Sequence, residues 1–296
     1  MAAATSSLTP KARLRAYYYL TKPGIIRGNI LTATAGFLLA AKDHIAIGLL
    51  LVTLSGLALV IAAACVSNNI LDRGIDKRMA RTAKRALVNG RISVRGASVY
   101  AAILLTIGSC LLFFYVNLLT LVLALMGYIA YVAIYGYYKR RSTLGTAVGS
   151  ISGAIPPVVG YVAVSNHIDA AAVILFVILV CWQMPHFFAI AMYRLKDYAS
   201  AELPVLPVKK GLLNTKIQCL IYITLYGGAS LALTVKGYTG TVYAACMGII
   251  CVVWLGLSIQ GFYTQNNEAW ARKLFFFSLI AITIQCLLIG ATALLD

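Results

Sequence analysis

Nine apolar runs, each close to the length a helix needs to cross a bilayer and separated by connections of alternating charge, constrain this chain more than any other feature. They lie at about 25–41, 45–67, 97–116, 118–138, 144–164, 170–190, 217–235, 241–262 and 274–294. An α-helix crosses the ~30 Å hydrocarbon core in about 20 residues. The expected fold is therefore an all-α polytopic membrane protein of nine transmembrane helices. The composition, 61% hydrophobic and 11% charged, lies well outside the range of soluble domains.

Charge sets the expected orientation. Of 25 Lys and Arg residues, only Lys42 and Lys236 fall outside the amino-terminal segment and every second connection. By the positive-inside rule the amino terminus and the basic connections are cytoplasmic, and the carboxy terminus lies outside. Removing any one span would move a basic connection to the wrong side, which holds the count at nine. The net charge of +17 is thus a topology signal, and nucleic acid is set aside as a partner. Residues 1–20 read as a cytoplasmic segment, with Lys11, Arg13 and Arg15 but no apolar core and cleavage site before Pro23. Residues 21–296 read as one intramembrane domain. The seven cysteines sit in or beside apolar runs, form no C-x-x-C pair, and read as small buried hydrophobes.

Two cytoplasmic connections, 71–95 and 193–216, are longer than the rest and hold four of the eight acids, Asp72, Asp76, Asp197 and Glu202. Connections of that length in a compact bundle are usually functional. Asn68, Asp72 and Asp76 recur every four residues, so a helix places them on one face. Hard oxygen ligands of this kind suit Mg²⁺, which is usually held by one or two carboxylates together with substrate phosphates. Arg73, Lys77, Arg81 and Lys84 follow at helical spacing, about 100° round from the acids, so metal-binding and phosphate-binding groups would stand side by side. An allylic diphosphate is a substrate that needs both, because breaking its C–O bond leaves a highly charged leaving group.

The sixth run leads into the second connection. Trp182, His186, Tyr193 and Asp197 form one row if the helix is continuous, and an ionisable group such as His186 within a bundle is a functional candidate. In the fifth run Gly145, Gly149 and Gly153 permit close helix packing, and Pro156-Pro157 is expected to kink the span. Tyr128, Tyr131, Tyr135, Tyr137 and Tyr138 in the fourth run are available for interfacial anchoring or for cation stabilisation.

Four ordered motifs carry a resemblance. Thr21-Lys22-Pro23-Gly24, Asn68-x-x-x-Asp72-Arg73-x-x-Asp76-x-x-Met79-x-Arg81-Thr82, Ser152-Gly153-Ala154-x-Pro156-Pro157, and Trp182-Gln183-Met184-Pro185-His186-Phe187 with Arg194-x-Lys196-Asp197-Tyr198 are similar to those of the protohaem IX farnesyltransferases, within the UbiA superfamily of intramembrane prenyltransferases. The resemblance implies nine helices around a central cavity, with transfer of a farnesyl group from farnesyl diphosphate to a vinyl group of haem B and addition of water to give haem O. It implies Asn68, Asp72, Asp76 and Asp197 as Mg²⁺ ligands, with Asp72, Asp76 and Asp197 catalytic. It also implies Arg73, Lys77, Arg81, Arg194 and Lys196 at the diphosphate, with Tyr193 beside them and His186 near the haem iron or a propionate. Membrane lipid and the downstream haem A synthase or terminal oxidase assembly are the implied partners, in a bacterial cytoplasmic (inner) membrane. Two departures stand out, since Asn69 replaces an acid common in the superfamily and the second acidic motif is reduced to Asp197 and Glu202, so one Mg²⁺ is expected in preference to two. The rival readings are a prenyltransferase acting on a quinone precursor and a polytopic transporter. The clustering of acids at one membrane face and the lack of a clear internal repeat weigh against the transporter.

Overall fold

A computed structural model describes residues 9–42, 44–80 and 82–295. Thr9 caps α1 (Pro10–Leu20) and Pro10 occupies its first turn, where a missing N–H costs nothing. The chain then turns at Lys22, in the left-handed region at φ 54°, and Pro23 starts α2 (Pro23–Ala41). α3 (Ile47–Asp76) has 30 residues and so runs about 45 Å, longer than the hydrocarbon core, and its last turns project beyond it. α4 (Val94–Tyr115) is capped by Ser93, and α5 (Leu118–Ile129) by Asn117. α5 passes through a π-helical turn at Ala130–Tyr135 into α6 (Gly136–Tyr138).

The remaining helices are α7 (Gly145–Gly153), α8 (Ile155–Ser165), α9 (Ala170–Tyr193), α10 (Leu195–Ser200), α11 (Leu206–Val235), α12 (Thr241–Gln260) and α13 (Asn267–Leu295). Among the described residues nine helical segments are long and apolar enough to cross a membrane, as the apolar runs predict. Large side chains such as Phe114, Val252 and Ile249 stand exposed on the outside of the bundle, an arrangement suited to lipid.

Close packing positions the site. α2 and α8 touch backbone to backbone, since a Cβ on Gly160 would lie 1.9 Å from the Ala33 carbonyl oxygen and one on Gly36 would lie 2.0 Å from that of Pro157. Gly145, Gly149 and Gly153 also pack too closely for a Cβ, at 2.7, 2.9 and 2.0 Å from Lys139, Tyr135 and Gln183 respectively. The small residues of the fifth span therefore fix the tyrosine turn and the residues just after it. Elsewhere the core is sealed by a satisfied polar network, in which Gln285 accepts from the Tyr226 hydroxyl at 2.8 Å and donates to Ser230 and Tyr243 at 3.0 and 2.9 Å.

Several sequence expectations need correction. The helix carrying Asn68, Asp72 and Asp76 ends at Asp76, and the described residues between it and α4 are mostly turns and bends with no helix, so the basic residues after Arg73 form no continuous stripe. The row from Trp182 to Asp197 is interrupted at Arg194, whose backbone (φ −107°, ψ 23°) leaves the helix. The fifth span breaks at Ala154, one residue before α8, so Pro156 and Pro157 sit in a first turn, which has no N–H partners to lose. α11 begins eleven residues before 217 and bends at Gly211, whose φ of 79° only glycine adopts without strain. Of the cysteines, Cys110 is exposed and Cys246 half-buried. Arg81 lies outside the described residues.

Candidate active site

One cavity of about 1040 Å³ runs into the bundle from the end of α3. Its interior is apolar, with Leu57, Val60, Ile61, Ala124 and Ile282 on the wall. Its mouth carries Lys22, Arg85, Lys139, Arg194 and Asp197.

The carboxylates lie just behind these cations. Asn68, Asp72 and Asp76 share one face of α3 and are buried, at 2%, 8% and 5% exposure. Asp72 accepts from the Lys139 ammonium through Oδ2 and from Arg140 Nη2 through Oδ1 at 3.2 Å. Asp76 accepts from Arg85 Nη1 at 2.6 Å. Asn68 Oδ1 accepts from Lys22 Nζ at 2.9 Å and from the Tyr131 hydroxyl at 3.4 Å, while its Nδ2 is buried with no partner among the described residues. Asn69 turns the other way, donating to the Leu20 carbonyl at 2.8 Å and accepting from Arg85 at 3.1 Å. That explains its amide in place of an acid, since a carboxylate there could not donate to Leu20.

The cations are poorly hydrated. Burial pulls the Lys22 ammonium from its ordinary value down to about 8. Burial also lowers Lys139, with the neighbouring Asp72 opposing the shift. A charge held where water is scarce gains most from an incoming anion. Tyr131 and Tyr135 stack at 5.5 Å in the π-helical turn, and Lys22 and Lys139 lie 5.9 and 5.1 Å from their ring centres. Such single π turns are frequent at functional sites.

The sequence-derived candidates divide. Asp197 and Tyr193 line the cavity, and Arg194 reaches Asp197 at 3.9 Å and lies over the Tyr193 ring. His186 lines its deeper wall between Trp182 and Phe275. Arg73, Lys77 and Lys196 are exposed and are not part of the cavity wall: Arg73 and Lys196 are one residue round their helices from Asp72 and Asp197, and Lys77 lies just past the end of α3. Their place on the wall is taken by Lys22, Arg85 and Lys139, with Arg140 paired to Asp72 behind them, and none of these stands out by spacing. Lys139 and Arg140 belong to a run of three basic residues, Lys139-Arg140-Arg141, directly after the tyrosine-rich run, the one visible signal. Tyr128, Tyr131 and Tyr135 face the cavity, whereas Tyr137 and Tyr138 point outward.

Among the described residues no three His, Cys, Asp or Glu side chains gather into a ready metal cage. The oxygen donors present are the two carboxylates of Asp72 and Asp76 with the Asn68 amide oxygen on α3, and the Asp197 carboxylate on the cavity wall. That set fits Mg²⁺, which takes few protein ligands and completes its shell with water and phosphate.

An amphiphile with an anionic head and an apolar tail is the ligand that satisfies both ends of this cavity, and a membrane enzyme acting on such a substrate is the class the fold and site define. The chain belongs to the UbiA prenyltransferase family, whose model matches residues 29–280. It is 48% identical over 273 residues to a protein named Protoheme IX farnesyltransferase from Protochlamydia amoebophila strain UWE25, covering 92% of this chain and 96% of the relative. Its fold is that of a digeranylgeranylglyceryl phosphate synthase structure, with TM-score 0.79, 21% identity, and coverage of 95% of this chain and 99% of the other. A UbiA homolog from Archaeoglobus fulgidus bound to GPP and Mg²⁺ shares the fold at TM-score 0.63 and 14% identity, covering 93% and 99%.

Proposed function

We propose that this chain transfers the farnesyl group of farnesyl diphosphate to a vinyl group of haem B, with addition of water, to give haem O and diphosphate. The observation that carries the reading is the juxtaposition of Lys22, Arg85, Lys139 and the paired carboxylates with one long apolar cavity. The choice of acceptor rests on the 48% identity to a protein named Protoheme IX farnesyltransferase.

Asp72 and Asp76, with the Asn68 oxygen, would hold Mg²⁺, as the fold neighbour bound to GPP and Mg²⁺ supports, and the ion supplies neutralising charge to the leaving diphosphate. Lys22, Arg85, Lys139 and Arg194 bind the phosphate oxygens and hold the allylic carbon at the top of the apolar wall. Asp197 orients Arg194 from the opposite connection. The C1–O bond of the farnesyl group breaks, and its electron pair leaves with diphosphate. Tyr128, Tyr131 and Tyr135 line the cavity and would stabilise the allylic cation through their rings. The apolar wall keeps water away until the vinyl group attacks. Carbon–carbon bond formation then leaves a cation beside the porphyrin, which water captures with loss of a proton.

The relative is bacterial, and the reading places this protein in a bacterial cytoplasmic membrane with the amino terminus and the cavity mouth on the cytoplasmic side. Its product would pass to haem A synthase or to terminal oxidase assembly. The deciding experiment incubates purified protein with haem B, farnesyl diphosphate and Mg²⁺ and seeks the mass of haem O. Asp72→Asn should abolish that product while the protein stays folded, and near-normal haem O formation by this variant would sink the metal assignment.

A further inference from the structure

The quenching step in the proposed reaction must dispose of a proton deep inside an apolar cavity. Water adds its oxygen to the carbon beside the porphyrin, one O–H bond breaks, and an acceptor has to take the hydrogen. Among the described residues on the cavity wall the strong acceptors are Asp197, at the mouth in α10, and His186, on the deeper part of α9.

The hydrogen bonds around His186 determine which ring nitrogen is free. His186 Nδ1 lies 2.8 Å from Ser278 Oγ. Ser278 is fully buried and its hydroxyl donates to the Phe275 carbonyl at 2.6 Å. A serine has one hydroxyl hydrogen, so with that hydrogen on the Phe275 carbonyl, the shorter of the two contacts, the imidazole donates to Ser278. Nδ1 therefore carries the hydrogen, and in the neutral ring Nε2 carries a lone pair. Among the described residues Nε2 has no hydrogen-bond partner, and the ring that carries it lines the cavity. Trp182 stacks on the ring at 4.8 Å and an interplanar angle of 26°, and its own Nε1 donates to the Ser278 carbonyl at 2.7 Å. Phe275 closes the other side at 4.9 Å. The imidazole is thus fixed in position, orientation and tautomer from α13.

We propose that His186 is the catalytic base of the water-addition step and that Ser278 is the residue that positions it. Resting on the haem-farnesylating reading, the assignment balances as follows. A water lone pair forms the new C–O bond, the O–H pair stays on oxygen, and the hydrogen passes to Nε2, which becomes N–H. Without that base the same cation is discharged when the released diphosphate takes a proton from the adjacent carbon, the C–H pair becoming the new C=C bond, which gives an alkene lighter than haem O by one water.

The test reads the ratio of alcohol to alkene by mass, alongside diphosphate release, in wild type, His186→Ala and Ser278→Ala. Wild type should yield the alcohol. His186→Ala should lower the alcohol by about 100-fold with the alkene rising in its place. Ser278→Ala should shift the ratio by roughly fivefold in the same direction, the worth of one neutral hydrogen bond. Diphosphate release measures ionisation and folding, and the ratio of alcohol to alkene is read per diphosphate released in every variant. An unchanged ratio in both variants overturns the proposal, as does an equal fall of alcohol, alkene and diphosphate, which would mark a purely structural role. Failure of wild type to make any farnesylated haem would instead overturn the underlying reading.

Discussion

Arg85 follows Asp76 by nine residues, yet its guanidinium returns to the helix end to meet the Asp76 carboxylate at 2.6 Å and the Asn69 amide oxygen at 3.1 Å. The turn-rich connection between them is further tied by Thr82, which donates to the Asp76 carbonyl at 3.0 Å. Arg85 thus closes the loop and provides the counter-charge of a buried acid. Arg85→Ala would leave Asp76 buried without that charge, at a cost of about 3 kcal/mol, the low end for a buried pair because Arg85 is itself partly exposed. The expected result is a lower melting temperature in detergent and a raised KM for farnesyl diphosphate. The double variant Arg85→Ala with Asp76→Ala should recover part of the stability and none of the turnover, and a double variant no more stable than the single would contradict the pairing.

Lys139 tests the cationic wall. It pairs with Asp72 and packs over Tyr135, whose position depends on Gly149. Lys139→Gln removes a charge from the mouth while keeping length and hydrogen bonding. It should weaken diphosphate binding by roughly tenfold, about the worth of one charged hydrogen bond. Arg73→Gln, on the exposed side of α3, should bind within about twofold of wild type. Equal losses in the two variants would show that phosphate is held by general basicity and not by the inward-facing set.

The spans were legible because length, hydrophobicity and charge alternation are each local properties of the chain. The face shared by Asn68, Asp72 and Asp76 was legible for the same reason, since helical periodicity is local. The partners of these acids were not. Lys22 reaches Asn68 across 46 residues and Lys139 reaches Asp72 across 67, through helix packing that leaves no spacing in the sequence. Arg73 and Lys77 looked suitable by adjacency, but adjacency on a helix means a 100° turn away from the acid's direction. The break at Ala154 was hidden by the prolines beside it, which mark the start of α8 more than a kink within it. His186 was visible as an isolated intramembrane histidine, whereas Ser278, 92 residues on, gave no sign of contact with it.

Gly160 examines the packing that shapes the cavity. A Cβ there meets the Ala33 carbonyl oxygen at 1.9 Å, a backbone atom that cannot rotate away. Gly160→Ala must therefore separate α2 from α8, and overpacking of this kind costs about 1–3 kcal/mol or more. Since α2 also carries the cavity residues Gly28, Leu31 and Thr32, the variant should lose activity as well as stability. Gly256→Ala, where nothing lies within 4 Å, is the matched control and should retain both.

Asp169 offers a pH-dependent test far in sequence from the acids of α3. Its Oδ1 accepts from the Ala172 amide at 3.1 Å, capping α9, and its Oδ2 accepts from the Tyr161 hydroxyl at 2.7 Å, joining α8 to α9. Burial alone would raise this carboxyl, but the bonds from Tyr161 and from the Ala172 and Ala171 amides outweigh it and hold the group below its ordinary value of 3.8. A carboxylate lowered on folding contributes stability that is complete above its unfolded value and is lost as pH falls through the folded one. Asp169→Ala should cost about 1–2 kcal/mol near neutral pH, the usual worth of an N-cap, and its deficit relative to wild type should shrink as pH drops to about 3. Asp169→Asn keeps one acceptor oxygen, enough to cap α9 at Ala172, but turns an N–H towards the Tyr161 hydroxyl, so it should keep the share of the stability due to the cap while removing this contribution to the acid dependence. Thermal unfolding of the three proteins in detergent across that range measures the effect, and a deficit for Asp169→Ala that stays constant with pH would show that the cap works as a neutral hydrogen-bond acceptor alone.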